Sequence, residues 1–394
     1  MTRSLFVIIL IVALNAIGVG LIFPILPDLL RELTGSAEIS TTYGLILAAY
    51  AAMQFLLSPI LGMLSDRFGR RPVLLVSLLG CTIDYLVMAF APTLAVLVIG
   101  RLIAGATSAN MAVASAYIVD ITEEKDRAQR FSWMSAAFGV GFIVGPMLGG
   151  VMSTWWLHAP FLAAAVLNGG ALLLAWFMLK ESRVPSGEKL DAKALNPFAP
   201  LRWAFSFPAL APLLAMFLIF AINGDIPGTI WVLYGAEKFN WDGVTVGISL
   251  TFFGVFATLA QAFITGPLTK RLGEKRTMMV GVCADAIAFL LIGLATEWWM
   301  PFALAPLFAL GGVGLPALQS LMSAEVSEDR QGELQGVLAS AMSLTSIIGP
   351  LLATGVYFWT KPFFIGAVWI LAAALYLLAI PVLGWIGRRR VQPA

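Results

Sequence analysis

Four ionisable side chains stand inside otherwise apolar runs: Asp84 (Cys81-Thr82-Ile83-Asp84-Tyr85), Arg101, Asp225 (Asn223-Gly224-Asp225-Ile226-Pro227) and Asp285. A charge at the centre of a bilayer costs about 2.5–3.5 kcal/mol on insertion scales, so four together cost on the order of 10 kcal/mol, comparable with a domain's net stability. Residues kept against such a cost are candidates for function. A carboxyl removed from water can cycle between proton-bound and proton-free forms as water comes and goes, which is the chemistry of proton coupling. That chemistry is assigned to Asp225, Asp285 and Asp84, with a fixed ion pair to Arg101 as the structural alternative for Asp84. Gly224 and Pro227 weaken the helix around Asp225, and interrupted helices at mid-membrane are where transporters bind ligands.

Neutral polar residues lie at similar depth. Asn15, followed by Gly18, Gly20 and the Pro24 to Pro27 run, joins Gln54, Asn223, Gln261 and Arg101 as candidates for binding a substrate. Each could equally be interhelical hydrogen bonding, worth about 0.6–2 kcal/mol. The single histidine, His158, lies beside Trp155, Trp156 and Pro160 and reads as an interfacial residue. With no Cys or His cluster, Walker-type loop or nucleophile elbow in the sequence, neither a metal site nor an enzyme is expected. Cys81 and Cys283 are read as small residues packed between helices, not as a disulfide. An ion gradient is the remaining energy source.

The elements that position these residues must be membrane helices. The chain of 394 residues is 60% hydrophobic and only 12% charged, against about 25% charged for an ordinary globular protein. Twelve spans fit, at roughly 5–31, 41–64, 72–92, 94–119, 130–153, 158–180, 208–234, 244–267, 276–296, 299–322, 332–358 and 362–386. The first lacks a small-residue cleavage site and is read as a retained span. A short charged hairpin, Gly62 to Pro72 with Asp66, Arg67, Arg70 and Arg71, forces two spans to be antiparallel neighbours. Gly62 and Gly69 recur 204 residues later as Gly266 and Gly273, and Gly145-Pro146 recurs as Gly349-Pro350. The chain therefore reads as one six-helix unit used twice, the parallel-repeat architecture of a large transporter class. Its parts are an N-terminal bundle (1–181), a polar linker (182–207) and a C-terminal bundle (208–394). With the N-terminus inside, 20 Lys and Arg fall on the cytoplasmic side, 3 on the other and Arg101 within a span. That bias predicts a multi-pass membrane protein with both termini cytoplasmic.

The hairpin with Asp66, Arg67, Gly69 and Arg70 resembles the loop signature of the major facilitator superfamily. Arg101-Leu102-Ile103-Ala104-Gly105 is similar to its fourth-span signature, and the run from Gly141 through Gly145 and Pro146 to Gly150 to its antiporter signature. Nearly the whole chain resembles the tetracycline efflux proteins of Gram-negative bacteria, through stretches such as Gly20 to Pro27, Gln261 to Pro267 and Gly314 to Gln319. The resemblance implies an all-α protein of 12 transmembrane helices in two pseudo-symmetric halves that exchanges an amphipathic, tetracycline-like drug for protons. It implies that Asp84 and Asp285 are the intramembrane acids, that Gln54 and Gln261 lie near the drug path, and that Asp66 and Arg70 latch the halves together. With Arg67, Gly145 and Pro146 these make the gating set. A divalent metal would enter only as part of the cargo.

The sequence departs from that family in three places. Asn15 replaces a first-span aspartate, Ala257 replaces an eighth-span histidine, and Asp225 replaces a neutral glutamine. In effect an acid has moved from the first span to the seventh. The expected partners are the lipid bilayer, protons and a small amphipathic drug, with no nucleic acid and no obligatory protein partner. Other readings on the same fold are a multidrug or metabolite exporter and a proton-coupled uptake symporter.

Overall fold

In the computed structural model, residues 3–183, 210–327 and 330–376 are described. The linker expected at 182–207 falls almost wholly outside them, as do Asp329 and the C-terminal arginines. The helices in chain order are α1 (Arg3–Ile22), α2 (Leu26–Thr34), α3 (Ser40–Phe68), α4 (Arg70–Phe90), α5 (Leu94–Thr107), α6 (Asn110–Asp120), α7 (Glu124–Ser153) and α8 (Ala159–Met178). There follow α9 (Ala211–Phe239), α10 (Gly243–Leu259), α11 (Gly266–Leu272), α12 (Glu274–Leu294), α13 (Met300–Gly311), α14 (Gly314–Ala324), α15 (Gln331–Thr360) and α16 (Ala367–Leu375). Among the described residues eleven stretches are long and apolar enough to cross a membrane, and α16 opens the last expected span.

The chain divides into two compact units, Met1–Pro197 with Trp241–Thr251, and Phe198–Asn240 with Phe252–Ala394. In the first, α1 packs on α7 and α8, and α4 on α5 and α8. In the second, α9 packs on α15, and α12 on α13, α14 and α16. A core of Leu5, Ile8, Ile11, Leu74, Leu78, Val113 and Tyr117 fills the first unit. Val166, Leu173 and Phe177 of α8 point outward, as lipid-facing side chains do.

Several spans differ from their sequence reading. The first breaks at Phe23-Pro24-Ile25, because Pro24 has no N–H to continue the ladder. The fourth breaks at Ser108-Ala109 and the tenth at Gly312-Val313, two sites 204 residues apart. The seventh, expected to be interrupted beside Asp225, is instead one helix from Ala211 to Phe239 with Pro227 inside it. A proline removes one ladder bond, and here the packed neighbours hold the helix through it.

Glycine sets how closely helices approach. Gly141, Gly145 and Gly149 of α7 lie against α1, where added Cβ atoms would collide with Ala13 O, Ile17 O and Leu21 O respectively. Helices in lipid associate through this small-residue packing. Gly69 turns the chain between α3 and α4 with φ of +103°, in the region glycine favours. The Glu181 carboxylate covers that turn, accepting the Arg70 N–H at 2.7 Å and the Arg71 N–H at 3.1 Å. A side chain distant in sequence thus serves the otherwise unpaired donors of the α4 N-terminus. Glu181→Ala is therefore expected to cost about 1–2 kcal/mol of stability, read as a lowered melting temperature in detergent.

Outside the spans, Asp242 accepts the Thr245 N–H at 2.8 Å ahead of α10. Hydrogen bonds from Thr245 hold its carboxyl below the usual carboxylate range. The stabilisation this gives is present above the ordinary carboxylate value of about 3.9 and is lost as pH falls through the lowered folded-state value.

Candidate functional site

Unit 1 carries one intramembrane acid, and it is paired. Asp84 on α4 and Arg101 on α5 meet at 2.7 Å, with Asp84 almost fully buried. The guanidinium also lies 4.3 Å from the Tyr50 ring centroid and Nη1 reaches Met88 Sδ at 3.7 Å. Pairing neutralises the charges, while the aromatic face replaces some of the hydration that Arg101 gives up. Asp84 is thus in the arrangement of the structural alternative, held by a fixed partner. Either single substitution, Asp84→Asn or Arg101→Ala, is expected to destabilise by about 3–5 kcal/mol because it strands a buried charge. The double variant should recover part of that loss. A thermal-melting double-mutant cycle in detergent measures the coupling.

Asn15 donates to Asn168 Oδ1 at 2.9 Å, and Asn168 in turn donates to Ala164 O at 3.0 Å. Asn15 thus ties α1 to α8. Asn110 reaches Cys81 Sγ at 3.3 Å. Cys81 is buried and Cys283 exposed, both free. Cys283 therefore corrects the expectation of a residue packed between helices, because it sits on the outward face of α12.

The two glutamines have related surroundings. Gln54 on α3 donates to Ser108 Oγ at 3.3 Å, at the break of the fourth span. Tyr50 OH lies 2.9 Å from the same Oγ. Gln261 donates to Gly312 O at 3.1 Å, at the break of the tenth. It stands in a six-residue π-helical segment, Ala260–Thr265, an insertion that recurs at functional sites. Both glutamine side chains are accessible. Each unit therefore presents a polar amide over an interrupted helix, where backbone groups are free of the helical ladder.

Unit 2 carries two acids without a cationic partner among the described residues. Asp225 on α9 packs on Gly349 of α15, where any Cβ would clash with its carboxyl. Its Oδ2 is buried without a partner. The recurrent Gly-Pro pair thus makes room for Asp225 in this unit, whereas Gly145 of the first admits α1. Asp285 on α12 accepts a hydrogen bond from Tyr376 OH at 2.9 Å and is flanked by Gly311, which a larger residue could not replace without displacing the carboxyl. Asn223 is buried and donates to Ala372 O, one turn before Tyr376, at 3.2 Å.

Tyr50 and Tyr376 were absent from the sequence-derived set. A tyrosine in an apolar run gives no charge signal, and Tyr376 is 91 residues from Asp285. The Gly62 hairpin forms a charge network inside unit 1. Arg70 binds Asp66 at 2.8 Å, Asp120 at 3.0 Å and Ser65 Oγ at 3.1 Å, and Arg183 binds Asp66 at 2.9 Å. Arg67 lies over the Phe68 ring at 5.3 Å. Gly145 and Pro146 sit within the continuous α7, with Gly20 against both. His158 contacts Glu32 at 3.2 Å beside Trp156.

The chain is 50% identical over 381 residues to the class C tetracycline resistance protein of Escherichia coli, covering 97% of this chain and 96% of that protein. It is 48% identical to the class G tetracycline resistance protein of Vibrio anguillarum, covering 97% and 98%. Among solved structures, the human organic anion transporter MFSD10 is similar with a TM-score of 0.71 at 25% identity, covering 97% of this chain and 99% of that one. The nucleoside transporter NupG shares the fold, with a TM-score of 0.80 at 14% identity over 97% of this chain and 99% of its own. The profile of the Major Facilitator Superfamily matches residues 8–231 and again 213–393, so the chain belongs to that superfamily, and its described spans form a multi-pass membrane protein.

Proposed function

We propose that this protein is a proton-coupled efflux antiporter of the cell inner membrane that exports a tetracycline-like drug by alternating access. The observation that carries the reading is the contrast between the units. Asp84 is neutralised by Arg101 at 2.7 Å, whereas Asp225 and Asp285 have no cationic partner among the described residues. An acid with a permanent counter-ion has little reason to bind a proton; an acid without one must bind a proton to be neutral in a dry state. Asp225 and Asp285 therefore exchange the protons. Asp84 and Arg101 shape the polar wall of unit 1, while Gln54, Gln261, Asn15 and Asn223 supply amide groups at helix breaks and helix contacts. Asp66, Arg67 and Arg70 hold the cytoplasmic hairpin through each cycle, and Gly145-Pro146 bends the fifth span.

Near full-length identity to tetracycline resistance proteins supports the cargo. Both termini lie in the cytoplasm, a reading supported by the placement of Lys and Arg. The proton gradient is the only driving force proposed, and a metal that crosses does so within the cargo. Inverted membrane vesicles test the reading. Respiring vesicles containing the protein should accumulate tetracycline and release it when a protonophore is added. Accumulation no greater than in vesicles lacking the protein would remove the substrate assignment.

A further inference from the structure

Asp285, Tyr376 and Asn223 come from α12, from the residue after α16 and from α9, so one line of polar side chains, held by the Tyr376–Asp285 and Asn223–Ala372 hydrogen bonds, joins three spans of unit 2. Its geometry is specific. The tyrosine hydroxyl donates to Asp285 Oδ2 at 2.9 Å. The ring is held from both sides, against Phe220 at 5.6 Å and Phe289 at 6.3 Å between centroids, and the whole residue is buried. Gly311 closes the carboxylate from another side, leaving no room for it to swing there. At the far end of the line, Asn223 Oδ1 is buried with no hydrogen-bond partner. An unpaired buried acceptor is costly, so it is expected to have a partner in some state of the protein.

We propose that Tyr376 is the positioning residue for proton exchange at Asp285, and that its hydroxyl hydrogen turns from Asp285 to the free Asn223 Oδ1 when that proton binds. The inference rests on the reading of Asp285 as a proton carrier. With Asp285 ionised, the carboxylate can only accept, so Tyr376 must donate to it. A proton arriving from water forms one O–H bond on the carboxylate and breaks none in the line. The neutral acid then donates to the tyrosine oxygen, and the tyrosine hydrogen turns away to the free acceptor, Asn223 Oδ1. The proton-bound state thus pairs Asn223 Oδ1, which is unpaired in the ionised one, and it does so through Tyr376. Because the three residues belong to three helices, loading the proton reorganises the contacts of the seventh, ninth and twelfth spans without net charge in the apolar interior.

The test is infrared difference spectroscopy of the purified, lipid-reconstituted protein, titrated with pH, reading the C=O stretch of the protonated carboxyl. The part of that band absent in Asp285→Asn belongs to Asp285. Tyr376→Phe keeps the ring packing and removes only the hydroxyl. The midpoint of the Asp285 band should then move to higher pH by about one unit, because a hydrogen bond to the charged form is lost. A band that also shifts in frequency between wild type and Tyr376→Phe supports the reversed hydrogen bond, since the neutral acid loses its acceptor. The same variant should shift the pH profile of proton-driven tetracycline accumulation in the same direction while retaining accumulation at the new optimum.

If Tyr376 only filled space, neither the midpoint nor the frequency would change in Tyr376→Phe, and the inference falls. If wild type shows no titrating Asp285 band, the proton-carrier reading of Asp285 falls first and the inference with it. Should Tyr376→Phe fold poorly, Asn223→Leu tests the other end. It removes the acceptor needed by the proton-bound state, and an unaltered Asp285 band in that variant would also overturn the proposal.

Discussion

Vesicles carrying Asp285→Asn or Asp225→Asn are expected to lose proton-driven tetracycline accumulation, to the level of vesicles without the protein. Asparagine keeps the size and much of the hydrogen bonding of the acid but cannot exchange a proton, so it imitates the loaded state permanently. The same variants should still exchange labelled for unlabelled drug across the membrane, because that exchange needs binding and the conformational cycle but no net proton movement. A host cell expressing either variant should be about as sensitive to tetracycline as one expressing nothing, which a growth assay reads directly. Retained resistance in both variants would end the coupling scheme. The Asp84→Asn variant provides the contrast: its defect should appear as lost stability, because its ion pair with Arg101 already neutralises it.

The second large effect concerns the α1–α7 contact. A Cβ at Gly149 would occupy the position of Leu21 O, and one at Gly145 would press on Gly20 and Ile17 O. Backbone cannot yield as a flexible side chain can, so helix separation is the only relief. Gly149→Val is expected to cost upwards of about 3 kcal/mol, enough to remove the folded protein from membranes. Gly139 lies on the same helix with open space around it. Gly139→Ala should therefore be neutral or stabilising by up to about 1 kcal/mol. Detergent-extracted yield and melting temperature of the two variants, side by side, measure the difference. Equal behaviour would mean that close approach of α1 and α7 is not what the glycine series provides.

Much of this protein was determined by the sequence alone. In a bilayer every backbone group must be satisfied within its own segment, so apolar length by itself specifies helices, and the 204-residue recurrence of Gly-Pro and of the hairpin glycines marks a duplicated unit. Intramembrane charge likewise identified Asp84, Arg101, Asp225 and Asp285, because the penalty for burying charge is a local property. Tertiary structure alone decided which acid is free. Asp84 and Arg101 are 17 residues apart and form a pair, while Asp285 meets an uncharged tyrosine from the far end of the chain. Hydropathy does not register that tyrosine, nor can it place the breaks of the fourth and tenth spans, where Gln54 Nε2 meets the Ser108 hydroxyl and Gln261 Nε2 the Gly312 carbonyl. Pro227 shows the opposite case: a local breaker inside a helix that packing against α15 keeps whole. Partners contributed by separate helices exist only once the bundle has assembled, and so the chemistry of each carboxylate is a property of the fold.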